Sequence, residues 1–401
     1  MRRGRSMQKN SSGGGGGGDA LPLELGACGL APDEGAAGLP NQTEGELGNL
    51  SLRCWLQLLS RESSLDLHGD GASVAVRTVI ALVYSVVCVL GLLGNLLALC
   101  LLRSRHRRKQ STVTGLVMGL ALTDLQFVLT LPFWAVDTAL DFRWPFGRVM
   151  CKIVGTVTAM NMYASVFFLT AMSVARYCAL ASALRMPSPR RAAARAKWAS
   201  VGIWGAALAA ALPHAAYSTT ARLSDEELCL VRFPDSGRWD PQLLLGLYQT
   251  QKVLLGFVAP LAVICVCYLL LLRFVLRRRG EPGCHRRRSK VTRSVTVVVL
   301  AFFLCWLPNQ ALTLWGVLIK FDLVPFSDAF YVAQAYAFPL SVCLAHTNSC
   351  LNPVLYCLVR QEFRAGLKEM LLRATPSFRH LANLAARRKD KAEPAPVLVL
   401  T

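Results

Sequence analysis

Three ionisable residues stand where the sequence around them is almost wholly apolar: Asp124, Arg176 and Lys252. A carboxylate at the centre of an apolar helix costs on the order of 2.5–3.5 kcal/mol on membrane-insertion scales, so Asp124 needs partners or a function. Amide and hydroxyl side chains able to meet it recur in other apolar stretches: Asn95, Asn161, Ser165, Asn348, Ser349 and Asn352. Two chemistries fit these residues. One is a protonated, hydrogen-bonded acid that only joins helices; the other is an ionised carboxylate with a hydrated sodium ion that leaves on activation. Lys252, near the outer part of the fifth apolar window, is a rare cation within such a window, able either to pair with an anionic ligand group or to snorkel to a surface. Catalysis finds no support, because no Ser/His/Asp set, zinc spacing or phosphate loop stands at a consistent depth.

The element that must carry Arg176 is a helix read from about Arg148 to Ala181. Cys151 and Arg176 are 25 residues apart, roughly 37 Å at about 1.5 Å per residue, which exceeds the roughly 30 Å of bilayer hydrocarbon. Thr158, Asn161, Ser165, Leu169, Met172 and Arg176 recur at steps of three or four, so one stripe of this helix is set with small polar groups and ends in a cation. A lipid-facing helix has no use for that stripe, which therefore faces a bundle. Apolar windows near 78–102, 113–136, 149–181, 197–217, 243–272, 291–319 and 329–358 are each long enough to span a bilayer. A chain that is 53% hydrophobic and only 17% charged is too apolar for an ordinary soluble domain. Helices or closed barrels alone satisfy backbone polar groups in lipid, so the expected class is an all-α, seven-transmembrane helix bundle.

The net charge of +20 is distributed in a way that argues against nucleic acid as the partner. Arg103 to Lys109, Arg190 to Lys197 and Arg277 to Lys290 fill alternate connections, all on one side. The positive-inside rule makes that side cytoplasmic, with the N-terminus outside and the C-terminus inside. The opposite connections carry Asp137, Asp141, Asp225, Glu226, Glu227, Asp235, Asp240, Asp322 and Asp328. An acidic mouth suits a basic ligand, and plain solvation accounts for the same charges equally well. Most of the 14 cysteines are scattered through apolar windows as small hydrophobes. Cys151 and Cys229 both fall on the outer, oxidising side, where pairing is chemically allowed; so do Cys28 and Cys54, whose pairing nothing fixes.

Residues 1–74 read as a disordered extracellular tail with a Gly13 to Gly18 run and acceptor sequences for glycosylation at Asn10, Asn41 and Asn49. Residues 75–358 form the membrane domain, 359–373 an amphipathic helix on the inner membrane surface among its lipids, and 374–401 a disordered cytoplasmic tail. Pro132, Pro213, Pro260, Pro308, Pro339 and Pro353 are expected to make local kinks, with hinges at Pro260, Pro308 and Pro353.

Gly94-Asn95, Leu120 to Asp124, Trp144-Pro145-Phe146-Gly147, Cys151 with Cys229, Arg176-Tyr177, Phe302 to Pro308 and Asn352-Pro353-Val354-Leu355-Tyr356 closely resemble, in order and spacing, the rhodopsin-like (class A) G-protein-coupled receptors. The resemblance covers about residues 75–373. Leu131 to Val136, Ala139 to Phe142, Glu227 to Pro234, Pro308 to Thr313 and Cys343 to His346 look like the relaxin-3 and insulin-like peptide 5 branch of the relaxin peptide receptors. What this implies is a receptor rather than an enzyme, a Cys151–Cys229 disulfide and a two-chain insulin-superfamily peptide as ligand. It further implies an inhibitory G protein as transducer, with arrestin as a second cytoplasmic partner and no cofactor beyond an allosteric sodium ion.

In that reading the ligand's arginines dock on Asp137 and Asp141, its aromatic end enters beside Trp134 and His346, and Lys252 meets its terminal carboxylate. Trp134 equally suits an interfacial anchor. Trp306 and Phe302 repack against Pro260 and Val166, α-helical bending follows at Pro308, and Arg176, Tyr177, Tyr268 and Tyr356 serve the G-protein side. Rival ligands are chemokine- or angiotensin-like peptides, and rival classes are a transporter or a channel. Against the latter two, the sequence shows no inverted repeat and no ring of pore charges.

Two departures bear on signalling. Ala175 stands where most relatives have an acid beside the arginine, and Arg288 and Lys290 stand at the inner end of the sixth helix where many have another. Without either restraining carboxylate, cells expressing the receptor are expected to show appreciable ligand-free signalling; a basal level equal to that of mock-transfected cells would refute this.

Overall fold

A computed structural model describes residues 70–106, 111–181, 188–223, 226–234, 240–277 and 285–359, with helical fragments at 364–365 and 367–368. Most of the expected N-terminal tail lies outside the described residues, with its glycosylation acceptors, Cys28 and Cys54. So do most of the expected surface helix and the C-terminal tail, together with Asp225 and Asp235.

The chain forms α1 (Asp70–His106), α2 (Thr112–Val128), α3 (Leu131–Ala139), α4 (Gly147–Ala181) and α5 (Pro189–Tyr217). A hairpin of β1 (Ser218–Leu223) and β2 (Glu226–Val231) follows. Next come α6 (Pro241–Val253), α7 (Ala259–Arg277), α8 (His285–Lys320), α9 (Asp328–Val332) and α10 (Phe338–Val359). Single π turns, Leu254–Val258 and Ala333–Ala337, join α6 to α7 and α9 to α10, so the helices compose seven stretches that match the seven apolar windows. Among the described residues, six stretches are long and apolar enough to cross a membrane: Val74–Arg103, Thr112–Ala139, Gly147–Ala179, Arg190–Tyr217, Pro241–Phe274 and Thr296–Lys320. The seventh, α9–α10, is diluted by the polar run His346 to Ser349 and by Asn352. It closes the ring by packing on α1 and α8.

Burial is inverted relative to a water-soluble protein. Asn95, Asp124, Asn161, Ser165, Gln310, Asn348 and Asn352 are buried, while Val79, Leu82, Leu208, Leu269 and Leu304 are exposed. Such a surface is suited to hydrocarbon, where the driving force is to bury polar groups rather than apolar ones. The central helix is α4, which touches α2, α5, α7, α8 and both strands. Of its predicted stripe, Asn161, Ser165, Leu169, Met172 and Arg176 are buried and Thr158 is half-buried.

The prolines act locally and in three ways. Pro132 follows the break at Leu129–Thr130 that divides the second span into α2 and α3. Pro260 and Pro339 follow the two π turns, where the helix widens to accommodate a ring that would clash with the carbonyl four residues back. Pro213, Pro308 and Pro353 lie inside unbroken helices. Two of the carbonyls that proline leaves without a helical donor are satisfied from another helix. The Cys88 thiol donates to Val128 O at 3.3 Å, four residues before Pro132. The Asn95 amide donates to Ser349 O at 2.9 Å, four residues before Pro353.

The hairpin is the element that the apolar windows did not announce. It is antiparallel, with Thr220 opposite Cys229, and its six-residue strands belong to a connection rather than to a span. Lys152 on α4 donates to Ala215 O at 2.9 Å and Ala216 O at 2.8 Å, placing a cation on the carboxyl end of α5 just before β1 begins.

Small residues set the closest helix approaches. A Cβ added at Gly115 on α2 would come within 2.6 Å of the Ala196 Cβ on α5, whereas one at Gly202 would meet nothing within 4 Å. Gly115→Ala is therefore expected to destabilise the detergent-purified protein by about 1–3 kcal/mol. Gly202→Ala should be neutral or stabilising by about 0.5–1 kcal/mol. Thermal unfolding curves of the two variants side by side check this, and equal shifts would contradict it.

Candidate functional site

The site has a mouth at the disulfide end, a polar core at mid-depth and a cationic terminus at the opposite end. The mouth begins where α3 stops. Phe142 N donates to Asp137 O at 2.7 Å and Asp141 N to Thr138 O at 3.3 Å, a helix-ending pattern that favours glycine at its left-handed residue. Here Asp141 (φ 60°) and Phe142 (φ 63°) occupy that region, at about 1–2 kcal/mol for each non-glycine residue. The turn carries Asp141 to Arg77 on α1, with which it forms an ion pair; the Asp141 side chain is 64% exposed and that of Arg77 20%. Asp137, one turn earlier, is 6% exposed and has no cation partner among the described residues. The two acids named as joint docking points are thus unlike: one is buried without a cation partner among the described residues, the other is exposed and already paired.

Trp134 points into the bundle rather than out to an interface. Its indole donates to Thr158 Oγ1 at 3.1 Å, and its ring lies 5.9 Å from Trp144 and 6.3 Å from His346. His346 is 5% exposed and packed against Tyr84 (5.5 Å) and Phe127 (5.0 Å), with Nδ1 lacking a hydrogen-bond partner among the described residues. Across the bundle, Lys252 on α6 holds its Nζ 5.8 Å from the centroid of the Tyr248 ring and has no acid partner among the described residues. Tyr248 is fixed by a 2.7 Å hydrogen bond to His214 on α5, and Lys252 is within electrostatic reach of both His214 and His346. A carboxylate on α3 and an ammonium on α6 thus each lack an ion-pair partner among the described residues.

The rim is tied down covalently and by aromatics. Cys151 on α4 is bonded to Cys229 on β2. Trp144 is buried, donates from Nε1 to Gly147 O at 2.9 Å and from its backbone N to Glu227 O at 2.7 Å, and meets Phe146 at 5.1 Å. Gly147 takes φ 72°, a backbone state that glycine adopts at no steric cost. Glu226 pairs with Arg143 in the α3–α4 connection and Glu227 with Arg222 of β1 at 3.3 Å, so these acids of the expected acidic mouth are already engaged by the receptor's own arginines. A cavity of about 390 Å³ lies to one side, lined by Arg148, Tyr217, Ser218, Thr219 and Arg232. It holds none of the expected ligand residues.

At mid-depth Asp124 is fully buried. Its Oδ2 accepts from Asn352 at 2.7 Å and its Oδ1 from Asn161 at 3.4 Å; Asn161 also reaches Thr123 O and Ser165 Oγ. Asn95 joins this core through the Ser349 backbone rather than by touching Asp124. Asn348 is buried beside it with an Oδ1 that finds no partner among the described residues. Between core and mouth, Phe302 lies 5.9 Å from Trp306, and both share an apolar cluster with Val166. Pro260 is buried and Pro308 is exposed on the bundle surface. At the far end Arg176 is 7% exposed, Tyr177 half-buried, and the Tyr268 hydroxyl is buried. The side chains of Tyr356, Arg288 and Lys290 lie outside the described residues.

The sequence that builds the disulfide-capped mouth, the buried acid bridging three helices and the terminal arginine on a central helix matches a recognised family. The family described as 7 transmembrane receptor (rhodopsin family) matches residues 94–356. The chain belongs to that family. Relaxin-3 receptor 1 of Homo sapiens is 56% identical over 349 residues, covering 79% of this chain and 74% of that one. Relaxin-3 receptor 2 of Homo sapiens is 47% identical, covering 76% and 80%. Somatostatin receptor type 3 of Homo sapiens is 38% identical, covering 75% and 70%. The receptor is thus a class A G-protein-coupled receptor of the relaxin-3 receptor type, a multi-pass membrane protein whose family is not enzymatic.

Several contacts of the receptor were not expected from sequence. Arg77, Cys88 and Lys152 each act on a group in a different helix or its terminal turn, and nothing in the local pattern says which. The Asn95 contact offers a test of the polar core. Asn95→Ala strands the Ser349 carbonyl that Pro353 deprives of a helical donor, so it is expected to cost about 1–3 kcal/mol. In a Pro353→Ala background residue 353 supplies the missing N–H, and the Asn95→Ala cost should shrink by half or more. Equal costs in both backgrounds, measured by thermal unfolding, would mean that this hydrogen bond is not what Asn95 provides.

Proposed function

We propose that the receptor binds a relaxin-family two-chain peptide at the mouth and signals through inhibitory G proteins to lower cyclic AMP. The observation that supports this reading is two opposite charges without an ion-pair partner among the described residues, Asp137 on α3 and Lys252 on α6, in a chain 56% identical to Relaxin-3 receptor 1. A ligand arginine satisfies Asp137, an aromatic side chain enters beside Trp134 and His346, and a terminal carboxylate meets Lys252. Each pair is charge-assisted and partly dry, which is where such hydrogen bonds are strongest.

The disulfide end faces outward in this reading, because the arginine-rich connections lie at the other end. Ligand entry changes the packing of Trp306 and Phe302 against Pro260 and Val166. The inner half of α8 then swings about Pro308, uncovering Arg176, Tyr177, Tyr268 and Tyr356 for the G protein and, after it, arrestin. A switch of this kind requires the peptide to bind one packing better than the other. Asp124, Asn161 and Ser165, with the Asn95 and Asn348 amide oxygens that find no partner among the described residues, are the groups that would hold a sodium ion favouring the resting packing.

Competition binding with relaxin-3 and insulin-like peptide 5, read with cyclic-AMP inhibition, tests this. Asp137→Asn is expected to weaken relaxin-3 binding by at least about 30-fold, since truncating one partner of a buried charge pair costs about 2–5 kcal/mol. Sodium should weaken agonist binding to the parent receptor and not to Asp124→Ala. Displacement by somatostatin, with relaxin-3 inert, would transfer the site to a different peptide class.

A further inference from the structure

Asp141 already has a cation, and that cation comes from the receptor. Arg77 sits on the face of α1 that carries Tyr84 seven residues further along, and this face lies against α3. The two helices thus present matched levels: Arg77 with Asp141 at the rim, and Tyr84 within electrostatic reach of Asp137 beneath. The lower acid has no described counter-ion and the upper one does. The asymmetry follows from chain geometry, because the left-handed turn at Asp141 and Phe142 is what swings the rim carboxylate over to α1. A guanidinium cannot lose its charge at any pH the protein experiences, so this partner is always available.

We propose that Arg77 is a specificity-determining residue that stands in for a ligand arginine at the rim. The proposal rests on the docking of a cationic peptide along α3 described above. A ligand bearing one positive group takes Asp137 and leaves the Arg77–Asp141 pair intact. A ligand bearing two gains the second contact only by displacing Arg77, which competes from within the molecule and so at a fixed effective concentration. The planar fork of a guanidinium presents donors that match a carboxylate, and a lysine ammonium entering from the ligand lacks that match. Arg77 therefore raises the threshold at the rim and selects for arginine. It also makes the two acids unequal: removing Asp137 costs a full ligand contact, while removing Asp141 costs only the difference between ligand and Arg77.

The experiment uses the full-length receptor in membranes with labelled relaxin-3 as probe. The chains compared are the parent, Arg77→Gln, Arg77→Lys, Asp141→Asn, the double variant Arg77→Gln/Asp141→Asn, and Asp137→Asn. Arg77→Gln is expected to tighten binding by about two- to five-fold, the worth of an exposed ion pair. Arg77→Lys should fall between the parent and Arg77→Gln. In the Asp141→Asn background Arg77→Gln should have no effect, because the contact it relieves is gone. Weaker or unchanged binding by Arg77→Gln alone would overturn the proposal, the first result showing that Arg77 merely holds Asp141 in place. An equal gain with and without Asp141 would also overturn it, as a general field effect of one removed charge. Should Asp137→Asn and Asp141→Asn both leave relaxin-3 binding untouched, the docking mode itself fails. An inert Arg77→Gln alongside a damaging Asp137→Asn removes the role of Arg77 alone.

Discussion

Asp124 has no contact with solvent and lies in a bundle whose outer surface is apolar, so its carboxylate has to be satisfied by side chains from other helices. Asn352 from α10 and Asn161 from α4 do this, and Asn95 from α1 reaches the same core by capping the carbonyl that Pro353 frees. Four of the seven spans are thereby held in register by one polar cluster. In water these groups would have alternative partners and the cluster would specify little. In hydrocarbon there are none, so each amide contributes to the relative placement of the helices.

That core also sits between the two functional ends. Above it are Phe302, Trp306 and the mouth with Asp137, Trp134, His346 and Lys252; at the other end of α4 is Arg176. The same helix carries Cys151, whose bond to Cys229 and contact with buried Trp144 fix the hairpin over the mouth. One long element thus touches the disulfide-capped rim, the polar core and the terminal arginine in turn. The two π turns and the α2–α3 break put local irregularity at Pro260, Pro339 and Pro132, all on the disulfide side of the core, whereas Pro353 lies within an unbroken helix stapled by Asn95.

Much of this could be read from sequence because a bilayer leaves few options. Span lengths, the inward stripe on α4 and the need of Asp124 for amide partners all follow from local periodicity and from the cost of a charge in hydrocarbon. Asn161 and Asn352 were recoverable as partners because apolar stretches contain few amides. Arg77 was not, since a surface arginine near a helix start has many acids within a flexible reach. Nor was the hairpin: Ser218 to Val231 lacks a clean alternation, and its strands are held as much by Cys229 and the Trp144 backbone as by their own pattern.

By itself the sequence determined the class, the number of apolar spans, and which polar residues could not face lipid, since those depend on transfer free energies that each residue brings with it. Tertiary structure alone decided that Asp137 is buried without a cation partner among the described residues while Asp141 is paired, that Cys88 and Asn95 rescue proline-freed carbonyls, and that Lys252 lies within electrostatic reach of His346. Those are questions of which two groups arrive within a few ångströms of each other. The angles at which helices cross set that outcome, and no local stretch of chain encodes them.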